Sequence, residues 1–103
     1  MPQLELEPRI SGSQATVVVR GDVDLATVPQ FRDLLNELVD GGNSTIVLEC
    51  SELAFLDSSG IGVLVAIRKR LGSSGSLTID SPPPHVRKVL EITGLNDHVV
   101  ILP

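Results

Sequence analysis

The positions of apolar residues predict two strands at the start of the chain. Residues 4–7 alternate apolar and polar side chains, as a half-buried strand does, and residues 15–19 are rich in β-branched side chains. The turn-forming residues 11–14 lie between them and predict a hairpin. Pro8 either ends the first strand or confines it to a sheet edge, because proline has no N–H to donate.

Three later segments have the periodicity of helices. Thr27 and Gln30 form a capping-box pattern at the start of the first segment. The second segment, residues 58–71, is apolar on nearly every side in its early turns, which is typical of a helix that is buried or that forms an interface. Ser81 and the prolines at 82–84 are the predicted start of the third helix, with Ser81 as its cap.

Apolar runs between the helices predict a parallel sheet. Residues 45–48 contain consecutive apolar positions, which predicts a strand buried on both faces, and residues 49–54 are predicted to be a connection. Residues 77–79 and 99–102 supply the last two strands. This order predicts an α/β fold: one domain over residues 1–103, with a mainly parallel sheet, an antiparallel N-terminal edge strand and helices mostly on one face.

Composition narrows the functional classes. The chain has 103 residues, of which 42% are hydrophobic and 2% aromatic, so we expect an aliphatic core and few stacking platforms for nucleic acid. A net charge of -5 argues against nucleic-acid and anionic-membrane partners. Cys50 is the one cysteine, which excludes an internal disulfide. Without a signal-peptide pattern or an apolar run of about 20 residues, we expect a soluble, cytoplasmic protein.

The residue types that carry catalysis are sparse. His85 and His98 are the only histidines, and neither neighbours a cysteine or an evident nucleophile, so both are predicted to be surface residues. The sequence has no Cys/His spacing for zinc and no glycine-rich phosphate loop. We therefore expect no enzymatic activity, no metal site and no cofactor bound by this chain.

An Asp-Ser-Ser-Gly-Ile-Gly stretch holds the most distinctive chemistry. Asp57 is a predicted N-cap, and Ser58 and Ser59 fall in the first turn, where free N–H groups and the helix dipole favour negative charge. A phosphoryl group on either serine would be stabilised there. Gly60 and Gly62 would leave a smooth surface for a second backbone. The alternative is a capped helix whose small first-turn residues serve packing alone.

Two further acids precede the first helix. Asp22 and Asp24 are separated by one residue, and we do not predict a shared metal site for them. Asp24 and Asp57 could instead both follow the carboxyl ends of strands, where sites gather in an open parallel sheet. Structural capping is the favoured role of both acids on these grounds.

Two motifs resemble those of a known family. Residues 21–24, Gly-Asp-Val-Asp, and residues 55–62, Phe-Leu-Asp-Ser-Ser-Gly-Ile-Gly, are similar to motifs of the stand-alone STAS domains that act as bacterial anti-sigma factor antagonists. The likeness covers essentially the whole chain, including Thr-Gly-Leu at 93–95. Glu49 and Cys50 depart from it, because many members have Asp and an aliphatic residue there. The resemblance implies a right-handed β/α superhelix.

The resemblance also implies a switch in partner exchange. The unmodified protein would bind an anti-sigma factor, itself a serine kinase of the histidine-kinase-like ATPase fold, and so release a sigma factor for transcription. The kinase would phosphorylate Ser59, the serine before the glycine, with Ser58 as the second choice. A metal-dependent Ser/Thr phosphatase would restore the hydroxyl, and ATP and magnesium would belong to the kinase.

The partner surface that the resemblance implies consists of residues from both motifs. Asp24 matches a family acid near the kinase's nucleotide site, and Asp57 matches the acid before the serines. The full set is Asp22, Asp24, Asp57, Ser58, Ser59, Gly60 and Gly62. One alternative is a docking subunit of a stress-sensing or transport assembly without a phosphate switch, since STAS domains occur there too. An enzyme or nucleotide-binding protein is a third, less favoured interpretation.

Overall fold

The two N-terminal strands form one edge of a six-stranded sheet in the computed structural model, which describes residues 3–103. The elements follow in the order β1 (Leu4–Ser11), β2 (Gln14–Val23), α1 (Val28–Asp40), β3 (Thr45–Glu49), β4 (Leu53–Leu56), α2 (Ser58–Leu71), β5 (Ser76–Asp80), α3 (Pro84–Ile92), a 3-10 helix (Leu95–Asp97) and β6 (Val100–Leu102). The strand order is β1-β2-β3-β5-β6, with β4 beside β2. Only β1 runs antiparallel to its neighbour, which confirms the predicted fold class.

One face of the sheet carries the core. The strand residues buried there belong to alternate positions, and the helices cover them with aliphatic side chains. The largest fully buried side chains include Leu35, Ile46, Leu48, Ile67, Leu77, Ile79 and Leu90. Val47, between two of these, is only partly buried, so the prediction that β3 is buried on both faces is wrong. The reason is that the helices pack on the side of Ile46 and Leu48 and do not cover Val47.

The N-terminal hairpin is longer than predicted. β1 continues past Pro8 to Ser11, and Pro8 lies opposite Val17 in an edge strand, which is one of the two positions expected for it. Gly12 closes the hairpin turn with a φ of +62°, which favours glycine. β2 extends to Val23 and therefore includes part of the Gly-Asp-Val-Asp motif.

A short strand replaces the predicted connection at residues 49–54. β3 pairs with β2 only as far as Val18, which leaves the last residues of β2 without a neighbour on that side. β4 fills the place, with Val23 opposite Leu56, after a register shift between Gly21 and Asp22. Four residues are too few to show a periodicity, so the sequence pattern could not reveal this strand.

The capping box predicted at the start of α1 is wrong, because Thr27 makes other bonds. Its hydroxyl donates to the carbonyl oxygen of Asp22 at 2.8 Å and accepts from the N–H of Asp24 at 3.0 Å. The Asp24 carboxylate closes the turn instead, accepting from the N–H groups of Ala26 and Thr27 at 3.0 Å each. Thr27 therefore joins the end of β2 to the start of the helix.

The predicted cap of α3 is also wrong. Ser81 adopts a positive φ of +56°, and its hydroxyl lies within hydrogen-bond distance of two acceptors, Asp80 Oδ1 at 2.9 Å and the Pro103 carbonyl oxygen at 3.1 Å. Pro83 occupies the N-cap position, without a side-chain cap. At the other end, Gly94 takes a φ of +76°, which favours glycine, and the buried Leu95 makes the apolar contact that follows the helix stop.

α2 is buried on one side only. Its bounds agree with the prediction, and Ile61, Leu64 and Ile67 lie in the core. Its outer side presents Gly62 and other small or apolar residues to solvent, namely Val65 and Ala66. No helix within residues 3–103 combines the length and hydrophobicity needed to cross a membrane.

Thr27→Val should lower the free energy of unfolding by about 1–2 kcal/mol, because it removes the hydroxyl that serves the N–H of Asp24 and the carbonyl of Asp22. Thr27→Ser keeps a hydroxyl at this position and should therefore retain most of that free energy of unfolding. Gln30→Ala should change it by less than about 0.5 kcal/mol, because no capping box forms. Urea unfolding of the three variants measures this, and a larger loss for Gln30→Ala than for Thr27→Val would contradict it.

Candidate functional site

The candidate site forms where two neighbouring parallel strands end. Val23 and Leu56 are paired at the carboxyl ends of β2 and β4, and each is followed by an acid, Asp24 or Asp57. The N–H of Asp57 donates to the carbonyl of Val23 at 3.2 Å, which continues the pairing by one residue. The prediction that both acids follow strand carboxyl ends is confirmed.

Asp57 is the N-cap of α2, as predicted. Its backbone is extended, and one carboxylate oxygen, Oδ1, accepts from the N–H of Ser59 at 2.9 Å and from the N–H of Gly60 at 3.3 Å. The same oxygen accepts a third bond, from the hydroxyl of Ser59, at 2.5 Å. The carboxylate therefore satisfies the free donors of the first turn and holds the serine hydroxyl in one orientation.

These bonds favour the charged form of Asp57. The Ser59 hydroxyl lowers the pKa of the Asp57 carboxyl below its usual range, and the backbone N–H groups of Gly60, Ser59 and Leu25 act in the same direction, while burial opposes them. Asp57 is therefore an anion at neutral pH.

The two serines differ in exposure. Ser58 is exposed, and Ser59 is half-buried with its hydroxyl proton directed to Asp57. The lone pairs of the Ser59 oxygen are not used in that bond. A group transferred to this oxygen would meet solvent on one side and the Asp57 carboxylate on the other.

The two glycines have opposite surroundings. Gly60 is buried, and a Cβ there would lie 2.5 Å from Leu56 Cδ1 and 2.7 Å from Val23 Cγ1. Gly60 therefore lets α2 pack closely onto the strand ends, and the expectation that it offers an exposed docking surface is wrong. Gly62 is exposed with no atom within 4 Å of its Cβ position, so the expectation of a smooth surface remains for this residue.

Exposed apolar side chains border the acids, and neither of them was predicted to be a site residue. Leu25 follows Asp24 and is 78% exposed, and Phe55 lies opposite Asp22 in the β2–β4 pairing and is 48% exposed. Their placement depends on β4, which the sequence pattern did not predict. Exposed apolar residues beside charged ones are typical of protein-binding surfaces.

A groove between α1 and α2 leads away from Ser59. It has a volume of about 300 Å³ and is lined by Val28, Arg32, Asn36, Ser59, Gly62, Val63 and Ala66. Arg32 and Asn36 belong to the polar face of α1 and lie outside both sequence motifs. The packing of the two helices brings this face beside the serine.

The other candidate groups are structural. His85 and His98 are exposed as predicted, and His85 Nε2 lies 2.6 Å from the carbonyl oxygen of Ala54, which ties α3 to β4. Cys50 is buried, and burial, with the Glu49 and Asp80 charges, raises the pKa of its thiol to about 12. Residues 3–103 contain no group of three or more His, Cys, Asp or Glu side chains placed to hold a metal ion.

Comparison with known proteins gives the family. Residues 6–103 match the family model described as Mlab, STAS domain, and the chain therefore belongs to the STAS-domain family. It is 28% identical over 95 residues to the anti-sigma-B factor antagonist of Staphylococcus aureus strain NCTC 8325, covering 91% of this chain and 88% of that protein.

Solved structures agree with this family. The fold is similar, with a TM-score of 0.90, to that of an anti-sigma factor antagonist from Mycobacterium paratuberculosis, which is 23% identical, with 97% of this chain and 86% of that chain covered. The anti-sigma factor antagonist SpoIIAA in its unphosphorylated form is 26% identical, with a TM-score of 0.81 and coverage of 97% and 88%. The Bacillus SpoIIAA in its phosphorylated form is 25% identical, with a TM-score of 0.74 and coverage of 97% and 91%.

Asp57→Asn should make stability less dependent on pH in the acid range. A carboxyl with a lowered pKa in the folded state contributes stability that is complete above its unfolded pKa of about 3.9 and is lost as the pH falls through the folded value. Asn still caps the helix but does not titrate.

In urea unfolding from pH 7 to pH 2.5, the difference between wild type and Asp57→Asn should stay constant down to about pH 5 and shrink below about pH 4. Gly62→Ala, which changes no titratable group, is the control and should show a constant offset. A constant offset for Asp57→Asn as well would show that the carboxylate is not held in its charged form by the helix.

Alanine substitution at the two glycines should change the free energy of unfolding in opposite directions. Gly60→Ala should lower the free energy of unfolding by about 1–2 kcal/mol, because its Cβ overpacks Leu56 and Val23. Gly62→Ala should raise it by about 0.5–1 kcal/mol, because it adds helix propensity in open space. Denaturant unfolding of both variants checks this, and equal effects would contradict the assigned surroundings.

Proposed function

We propose that this chain is an anti-sigma factor antagonist that binds an anti-sigma factor and is switched off by phosphorylation of Ser59. The observation that carries the proposal is the Ser59 hydroxyl, half-buried but reachable, held at 2.5 Å by the Asp57 carboxylate at the edge of the sheet. The curated relative and the SpoIIAA structures, which are named anti-sigma factor antagonists, support it. That SpoIIAA is known in both phosphorylated and unphosphorylated forms supports the switch.

The unmodified surface suits a protein partner. Its hydroxyl is neutral and internally bonded, so covering it costs little desolvation. Gly62 allows close approach, and the exposed Leu25 and Phe55 provide apolar area to bury. The acids Asp22, Asp24 and Asp57 already make this surface negative, so a further anion at Ser59 would add to the repulsion from the phosphates of a nucleotide bound to the partner.

The modification would be a phosphoryl transfer from ATP on the partner kinase. The Ser59 Oγ forms a bond to the γ-phosphorus, the bond between that phosphorus and the bridging oxygen of ADP breaks, and the hydroxyl proton passes to a base on the kinase or to water. In the reverse direction a phosphatase directs water at the phosphorus. Inorganic phosphate then leaves, and the serine oxygen regains a proton.

The added group would oppose docking while leaving the fold intact. Phosphate brings about -1.5 to -2 charges at neutral pH. It would stand beside Asp57, close to Asp24, and against the phosphates of a nucleotide bound to the kinase. Within this chain, the positive end of α2 offsets the charge by about 0.3–1 kcal/mol. Affinity should therefore change far more than stability.

Ser59→Ala should abolish phosphorylation and keep partner binding, and Ser59→Asp should weaken binding by about tenfold or more, because a fixed anion repels the partner. The ATPase-fold serine kinases of the source organism, purified one at a time, are incubated with ATP and the chain, and peptide mass spectrometry locates the phosphate.

Ser58→Ala is the matched control and should be phosphorylated on Ser59 to the same extent as the wild-type chain. A phosphate found on Ser58 would show that the assignment to Ser59 is wrong. Binding that is unaffected by Ser59→Asp would favour the alternative, a docking subunit without a phosphate switch.

A further inference from the structure

Arg32 is the only arginine that lines the groove beside Ser59 within the described residues. It lies on α1, one turn after Val28, and Ser59 lies in the first turn of α2 across the groove. Side chains on a helix lean towards its N-terminus, so the arm of Arg32 leans towards the end of the groove where Ser59 lies. Gly62 presents no side chain on the opposite wall.

We propose that Arg32 is the internal partner of a phosphate on Ser59, folding across the groove to bind it in the modified protein. The inference rests on the proposed function, because it requires that Ser59 carries phosphate. It assigns a role to a residue outside both sequence motifs. The role belongs to the phosphorylated state and not to partner docking.

The present contacts of Arg32 leave it free to move. Its Nε donates to the adjacent Asp33 Oδ1 at 3.2 Å, and both side chains are largely exposed. An exposed ion pair of this kind contributes between 0 and about 1 kcal/mol. A phosphate offers a higher charge and three acceptor oxygens, so it competes well for the guanidinium.

The arginine of α2 that contacts α1 is bonded elsewhere. Arg70, in the last turn of α2, donates from Nη1 to Asn36 Oδ1 at 2.8 Å and from Nη2 to Asp40 Oδ1 at 2.6 Å. These bonds link the two helices at the other end of the groove. Arg70 is therefore paired with residues of α1, and Arg32 is the arginine available beside Ser59.

The phosphate itself would be turned towards the groove. Once Ser59 Oγ is esterified it can no longer donate to Asp57 Oδ1, and the two anions repel each other across the former bond of 2.5 Å. The lining on the other side of the serine contains Gly62 and Arg32 and no carboxylate. Repulsion from Asp57 and the open space of the groove therefore both favour a phosphate that is turned towards Arg32.

The test uses the full chain with phosphoserine incorporated at position 59 during translation, so it needs no kinase. The second pKa of the phosphate, followed by ³¹P NMR, should rise by about half a unit in Arg32→Gln, because the nearby cation no longer favours the dianion. The second pKa of the phosphate in Arg32→Lys should lie between the values for the wild-type chain and Arg32→Gln. Arg9→Gln removes the same charge from β1 and should leave the pKa within about 0.1 unit.

A second readout follows the arginine directly. The ¹H–¹⁵N signal of Arg32 Nε should shift between the unmodified and phosphorylated chains. An unchanged phosphate pKa in Arg32→Gln, an equal rise in Arg9→Gln, or an unshifted Arg32 signal would each overturn the proposal. Because the phosphate is installed by translation, these results would leave the kinase assignment untouched, and a kinase that fails to label Ser59 would leave this result valid.

Discussion

The Asp57 carboxylate is the contact on which the site depends. One of its oxygens accepts from two backbone N–H groups and from the Ser59 hydroxyl, so a single acid starts α2 and orients the serine. It reaches that position because β4 pairs with the end of β2 and brings the two strand ends side by side. Removing the acid would disturb helix initiation and hydroxyl orientation together.

The features that depend on neighbouring residues could be predicted from the sequence. The bounds of α2 and its cap at Asp57 agree with the structure, because a capping acid, a long apolar segment and a closing glycine at Gly72 are local signals. The hairpin and the mainly parallel sheet followed from apolar patterning, turn residues and the alternation of strands and helices. The resemblance to STAS domains, which depended on two short motifs, is confirmed by the family match.

The features that depend on distant contacts could not be predicted. Thr27 bonds backward to the end of β2, so a correct capping pattern led to the wrong cap. Gly60 and Gly62 are two positions apart, and only the packing of α2 shows that one faces the core and the other solvent. The groove and the position of Arg32 depend on how α1 packs against α2, for which a single helix pattern carries no information.

The buried residues of this site therefore have a structural role, and its exposed residues are available for modification and binding. Gly60, Leu56 and Val23 pack inward and determine stability, whereas Ser59 and Gly62 face outward, where a charge can be added without disturbing that packing. The most direct measurement compares the unmodified and Ser59-phosphorylated chains, with calorimetric titration against the anti-sigma factor and thermal unfolding of each sample. The account predicts that affinity falls at least about tenfold while the unfolding midpoint moves by less than about 3 °C. Equal affinities, or a loss of binding accompanied by unfolding, would contradict it.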